Sequence, residues 1–291
     1  RALPSILGFA SVKANLGKLA NKGFELSLNG DIIRTNDFTW TSSGSFSFNR
    51  RKLKSLYGDM EDVLDENGNV IGQKEKDDPK NGWFIGHDPD QIWDYEFGGV
   101  WQLGQEEEAS KYGCKPGDFR FIDQDGNGVL DDDDKTFQGY KTPRFFWSWR
   151  NEFIYKDFSL SFMLYSDIGH YDYYNHASNS GGMFDRYSTY DQPRWTPENP
   201  TNEYGRIGSY RFANYYKKKT FVRMDNISLS YAVPKDFLKK FKVQNMRISL
   251  TARNPFTITG WDYFDVEATK KNRDDGLYGM RSYNISFNFT L

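Results

Sequence analysis

The sequence predicts an all-β chain. It reads as an antiparallel transmembrane β-barrel in which about seven strands form the C-terminal part of a larger barrel with long extracellular loops. Three observations predict this: strict two-residue alternation of apolar and polar side chains, an unusual aromatic content, and connections of two very different lengths. Aromatic residues make up 18% of the chain, with 19 Tyr, 24 Phe and 8 Trp, yet the mean hydropathy is strongly polar. A barrel wall reconciles the two, because lipid-facing and lumen-facing residues alternate and aromatic girdles mark both membrane interfaces.

The strands follow in order. Near 23–33, Phe24, Leu26, Leu28 and Ile32 oppose Glu25, Ser27, Asn29 and Asp31. Near 38–50, Phe38, Trp40, Phe46 and Phe48 oppose a Thr and Ser series. Near 145–155, Phe145, Trp147, Trp149, Phe153 and Tyr155 oppose Ser148, Arg150 and Glu152, and near 158–167 Phe158, Leu160, Phe162 and Leu164 share a face. The fifth, near 220–232, keeps phase at Ile227, Leu229 and Tyr231. Arg223 and Asp225 share that parity, which predicts a bulge or an emergence from the membrane near Met224. The sixth, near 245–254, sets Met246, Ile248, Leu250 and Ala252 against Arg247, Ser249, Thr251 and Arg253. The last, near 280–291, sets Tyr283, Ile285, Phe287, Phe289 and Leu291 against Asn284, Ser286, Asn288 and Thr290. A soluble sandwich also alternates; the aromatic apolar faces and the small or charged opposite faces favour a barrel with a wet lumen.

RTND, the KD turn and VPKDFLKKFKVQ join alternate pairs, whereas the connections near 51–144, 168–219 and 255–279 are long. In outer-membrane barrels short turns are periplasmic and long loops external. Seven strands are odd in number and too few to close, and a final aromatic strand suits the end of such a barrel. The chain is therefore expected to be a C-terminal portion lacking its plug domain. RALPSILGFASV has neither the basic start nor the cleavage pattern of a signal peptide, which suits a mature product or a fragment. No apolar run approaches the length of a transmembrane helix, and the single Cys114 excludes an internal disulfide framework. A formal charge of −2 gives no general attraction to nucleic acid.

Within FIDQDGNGVLDDDDK the spacing matches a calcium loop: Asp123, Asp125, Asn127, the Val129 carbonyl, Asp131 and Asp134 stand at its ligand positions, with Gly128 at the turn. Asp134 replaces the usual Glu, and the flanking FRF and TFQGYKTPRFF look extended, so a helix-flanked calcium switch is not expected. Two readings stay open: a structural divalent ion, calcium by donor type, or an Asx- and Gly-rich turn satisfied by its own side chains. Either way the loop would stiffen a long external connection. The segment 169–216 is rich in rings and Arg. Tyr171, Tyr173, Tyr174, Tyr187, Arg194 and Trp195 are candidates for substrate or lid contact, or for packing the loop on itself. KKK at 217–219 reads as a charged rim facing lipopolysaccharide phosphates or solvent. His87, His170 and His176 form no metal pair, no catalytic motif is present and Cys114 has no evident base, so no enzyme is expected.

Several stretches carry a resemblance. NKGFELSLNGDIIRTNDFTWTSSGSFSFNRRKLKSL, IWDYEFGGVWQ, KYGCKPGDFRFIDQDGNGVLDDDDKTFQGYKTPRFFWSWRNEF, RWTPENPTN and ARNPFTITGWDYFDVE together resemble the SusC/RagA family of TonB-dependent outer-membrane transporters. The resemblance implies a barrel of about 22 strands with an N-terminal plug, in the outer membrane of a Gram-negative bacterium. It implies as partners the remainder of the barrel and plug, the TonB complex, a SusD-like lipoprotein lid, outer-membrane lipid and lipopolysaccharide, and an oligosaccharide or peptide substrate. The rival reading is a secreted, calcium-stabilised all-β carbohydrate-binding or adhesin module.

Overall fold

The computed structural model describes residues 17–174, 193–209, 216–262, 265–267 and 279–290. Two long strands, β1 (Lys18–Arg34) and β2 (Phe38–Ser55), form the first hairpin. The connection after it carries β3 (Met60–Leu64), β4 (Val70–Glu75), β5 (Gln91–Tyr95), β6 (Phe97–Val100), helix α1 (Glu106–Lys111), β7 (Phe119–Phe121) and β8 (Lys135–Tyr140). The chain then runs through β9 (Phe145–Tyr155), β10 (Phe158–Ile168), β11 (Tyr171–Tyr173), β12 (Tyr216–Lys218) and β13 (Phe221–Ala232). A short turn helix α2 (Lys235–Leu238) leads to β14 (Asn245–Arg253), β15 (Thr257–Thr259) and β16 (Ser282–Thr290).

One antiparallel sheet, in the order β1-β2-β9-β10-β13-β14-β16, forms the wall, and β15 pairs alongside the upper end of β13. Each neighbour is joined by a short turn or by a long connection, in strict alternation. All short turns therefore lie at one end and all long connections at the other. Four two-stranded sheets, β3–β4, β5–β8, β6–β7 and β11–β12, belong to the long connections.

The register carries the apolar rows across the wall without a break. Leu26 pairs with Phe46 and Phe46 with Trp147; Leu160 pairs with Phe153 and Leu229, Leu229 with Leu250, and Leu250 with Ile285. These residues point away from any protein core: Leu28 is 66% exposed and Ile285 67%. Such a face is unstable in water and suits hydrocarbon. Rings border it at both ends, with Phe38, Phe153, Phe158 and Tyr231 stacked near the short turns. Near the long connections Phe46 packs on Phe48 and Phe145, and Phe24 on Phe48.

The other face is polar in the same register. Ser45 and Ser148, Ser228 and Thr251, and Ser230 and Ser249 hydrogen-bond across strands at 2.7, 2.9 and 2.8 Å. Among the polar residues that fall on the apolar face are Ser42 and Asn151. Each is covered by a ring that also donates to it: Trp149 Nε1 to Ser42 Oγ and Trp40 Nε1 to Asn151 Oδ1, both at 3.0 Å.

The fifth strand is irregular where its parity breaks. Met163 pairs with Asn226 and Leu164 with Met224, so Asp225 is the extra residue of a bulge. Above it Arg223 is buried and bound to Asp265 at 2.7 Å, to Glu267 and to Thr257 Oγ1 at 2.8 Å. The charged residue that broke the apolar pattern thus belongs to the long-connection end and is neutralised there.

Candidate functional site

The long connections fold into a body with its own small cores. Val100, Phe119 and Trp195 form one; Trp101, Ala109 and Cys114 a second; Tyr174, Tyr204, Phe221, Trp261 and Val266 a third. Phe84 meets Trp93 and Phe137 edge to face at 4.6 and 5.0 Å, Trp93 and Phe137 are tilted at 4.7 Å, and His87 stacks on Phe137. Glycines permit the close approaches. At Gly117, where φ is +89°, a Cβ would lie 2.5 Å from Trp195 Cε3. The body is tied to the wall by Arg144 to Asp88 at 2.9 Å and by Arg51 to Asp88 and Asp90.

This packing decides among the candidate rings. Tyr174 is fully buried, T-stacked on Trp261 at 5.6 Å with its hydroxyl 3.3 Å from that of Tyr204, and burial raises its pKa. Trp195 is buried and donates Nε1 to Gln102 Oε1 at 2.9 Å. Both are packed inside the body's cores, the second of the two roles open to them from the sequence; the connection is long enough to need a core of its own. Tyr171 is half-buried against Gly139, and Tyr173 meets Tyr216 edge to face at 5.9 Å. Arg194 is half-buried, and desolvation lowers its pKa. Tyr187 lies outside the described residues. Residues 217–219, read from the sequence as a rim facing lipopolysaccharide phosphates or solvent, make these contacts. Lys217 binds Glu203 at 3.2 Å and Asp262 at 3.0 Å, and the buried Lys219 binds Asp172 at 2.7 Å, so two of the three cations are spent inside the body.

The acidic loop sits between β7 and β8, both extended, as its flanking sequence predicts. Asp123, Asp125 and Asp134 each bring one carboxylate oxygen within 4.8 Å of the others, and Asp134 is wholly buried. Backbone amides supply most of their hydrogen bonds. Asp123 accepts from Gly126 N at 2.7 Å and Gly128 N at 2.8 Å, and from the Tyr112 hydroxyl at 2.9 Å. Asp134 accepts from Gln124 N at 2.7 Å and Asp131 N at 2.8 Å. The hydrogen bond from Gly128, ahead of those from Tyr112 and Gly126, holds the Asp123 carboxyl below its usual range. Asn127 Oδ1 accepts from the Val129 amide at 2.7 Å, and Asp131 lies outside the three-carboxylate group, accepting from Asp133 N at 3.0 Å. Lys135, the nearest cation in sequence, turns to Asp132 at 2.6 Å. An all-oxygen donor set with converging carboxylates fits a hard cation such as Ca2+.

A two-faced antiparallel wall with every long connection at one end defines the class: a segment of an outer-membrane-type β-barrel carrying an external body. Comparison with known proteins makes this specific. No family model matches the chain. It is 30% identical over 279 residues to TonB-dependent receptor P3 of Formosa agariphila, covering 94% of this chain and 27% of that protein. It is 28% identical over 271 residues to TonB-dependent receptor SusC of Bacteroides thetaiotaomicron, covering 89% of this chain and 25% of SusC. The structure of the RagAB peptide importer in its open-open state matches with a TM-score of 0.69 at 20% identity, over 100% of this chain and 31% of that one. The chain thus spans about a quarter to a third of the length of the relatives it matches. It is a barrel segment of the SusC/RagA-like TonB-dependent receptors.

Sequence reasoning missed the Arg223 cluster and the covered Asn151. The parity break at Arg223 was the one available signal for the first. The second needed the third dimension, since nothing local shows that Trp40 reaches a strand 111 residues away.

Proposed function

We propose that this chain supplies wall, external loops and lid contacts to a TonB-dependent outer-membrane importer of oligosaccharides or peptides, working with a SusD-like surface lipoprotein. The carrying observation is the wall itself. Its apolar face is continuous and ring-bordered, its opposite face is a hydroxyl- and charge-lined surface suited to a lumen, and the body stands at one end only. In the outer membrane that end faces outward, where a lid would dock. The same wall disfavours a secreted carbohydrate-binding module, which would have to expose that apolar face to water.

The proposal includes a structural Ca2+ held by Asp123, Asp125, Asn127, the Val129 carbonyl and Asp134, with Asp131 acting through water. Calcium would relieve the repulsion of three converging carboxylates and fix the β7–β8 connection, and through Tyr112 the end of α1. The test is purification of the complete receptor from its own outer membrane. A co-purifying surface lipoprotein and loss of growth on one oligosaccharide or peptide source after gene deletion are expected. A receptor isolated alone, whose deletion leaves growth on every such source unchanged, would count against the importer.

A further inference from the structure

β1 and β2 are longer than the rest of the wall, at 17 and 18 residues, whereas about 9–11 suffice to cross a membrane. The excess lies at the long-connection end, beyond the Phe24–Phe48 pair. There the apolar face becomes a column of cations. Lys22 pairs directly with Arg50 and Ala20 with Lys52, which sets Lys22, Arg50 and Lys52 on one side below the register shift at Lys18. Arg50 stands over the Phe48 ring with its Cζ 5.2 Å from the centroid, which fixes its place just above the girdle. Arg50 is half-buried and donates to the carbonyls of Asn49 and Arg144. Among the described residues none of these three forms an ion pair. Arg51, on the opposite face of the same strand, binds Asp88 and Asp90. The inner-face Arg51 is thus matched, and the three cations on the lipid side are not.

Height selects the ligand. A strand rises about 3.3 Å per residue and tilts about 45°, so two residues beyond the girdle lie roughly 5 Å higher. The polar headgroup layer occupies about 5–7 Å on each side of the hydrocarbon, which puts the backbone of Lys22 and Arg50 within it and that of Lys52 about 9 Å up, just beyond it and within reach of its long side chain. We propose that this column is a binding site for the phosphate groups of an outer-leaflet lipid headgroup, anchoring the receptor at the base of its external body. The inference rests on the reading of the wall as membrane-spanning. It places a lipid contact on a segment whose three cations form no ion pair among the described residues.

The test uses the complete receptor that contains this segment, reconstituted in phosphatidylcholine vesicles with or without a bisphosphorylated glucosamine lipid (lipid A), its bound lipid read by native mass spectrometry. Each cation near an anionic headgroup surface is worth about fivefold in affinity, so Lys22→Gln/Arg50→Gln/Lys52→Gln is expected to bind the lipid about a hundredfold more weakly. Lys52→Gln alone should cost about fivefold. Lys235→Gln/Lys239→Gln/Lys240→Gln, which removes as much charge at the short-turn end, should change nothing. The dephosphorylated lipid should not be retained, and inorganic phosphate should not displace the bound one. Equal binding by the triple variant, equal retention of the dephosphorylated lipid, or displacement by inorganic phosphate overturns the site. Failure of even the unaltered receptor to enter vesicles overturns the wall reading beneath it, a separate and recognisable result.

Discussion

The wall and the external body bury their apolar residues in opposite directions. In the wall the large side chains face outward, as at Leu28, Leu250 and Phe287, and the polar ones face a lumen. In the body, rings such as Tyr174, Trp195 and Trp261 are buried, and the acids buried with them, such as Asp88, Asp118 and Asp134, are held by cations or backbone amides. One composition therefore serves two solvents. Period-two alternation is what the wall requires, because hydrocarbon is on one side and water on the other. The body has water all round, so its few rings must gather into small clusters between short strand pairs.

Substitutions can break this contrast from either side. The largest effect is expected in the body. Trp195→Ala should destabilise its local core by about 3–5 kcal/mol, the usual cost of deleting a buried aromatic. Faster proteolysis of the long connections would report it, with the heat-resistant mobility of the barrel on gels unchanged. In the wall, Leu250→Arg should cost about 2–4 kcal/mol near the membrane midplane, whereas Ser249→Arg, one residue away on the lumen side, should cost far less. Denaturant titration of vesicle-inserted receptor measures both, and equal costs would erase the sidedness.

Two smaller effects sharpen the picture of the body. Calcium should slow amide exchange across residues 121–135, and Asp123→Asn should weaken calcium binding by about tenfold or more, a scale set by the charge of the ligand set. Calorimetry in the presence and absence of chelator checks this. The smallest effect concerns His170, in the link between β10 and β11. Burial, with the Lys219 ammonium nearby, pushes its pKa down from 6.5 to about 4. Between those values the unfolded chain binds the proton more readily. Local stability should therefore be full above pH ~6.5 and fall as the pH drops toward ~4. His170→Asn should flatten that slope in melts followed by tryptophan fluorescence.

The wall was legible in the sequence because membrane alternation is local. Phe145, Trp147 and Trp149 announce their face without reference to any partner, and even the bulge at Asp225 left a trace in the parity of Arg223. The body was legible only in part. Asp123 to Asp134 form a contiguous motif, and their convergence could be counted out residue by residue. The fate of Trp195 depends on Val100 and Phe119, and that of Lys219 on Asp172 and Trp261. Ring-rich loops look alike in sequence whether their rings are offered to a ligand or folded away.

The central claim is that the two faces of one strand lie in different solvents. Single cysteines placed at each position from Met246 to Ala252, with Cys114 replaced by Ser, can be spin-labelled in the complete receptor within vesicles. Collision with lipid-soluble oxygen and with a water-soluble nickel chelate then reports each side. Even positions should respond to oxygen and odd ones to nickel, in strict alternation. Uniform access of nickel to all seven positions would contradict the account.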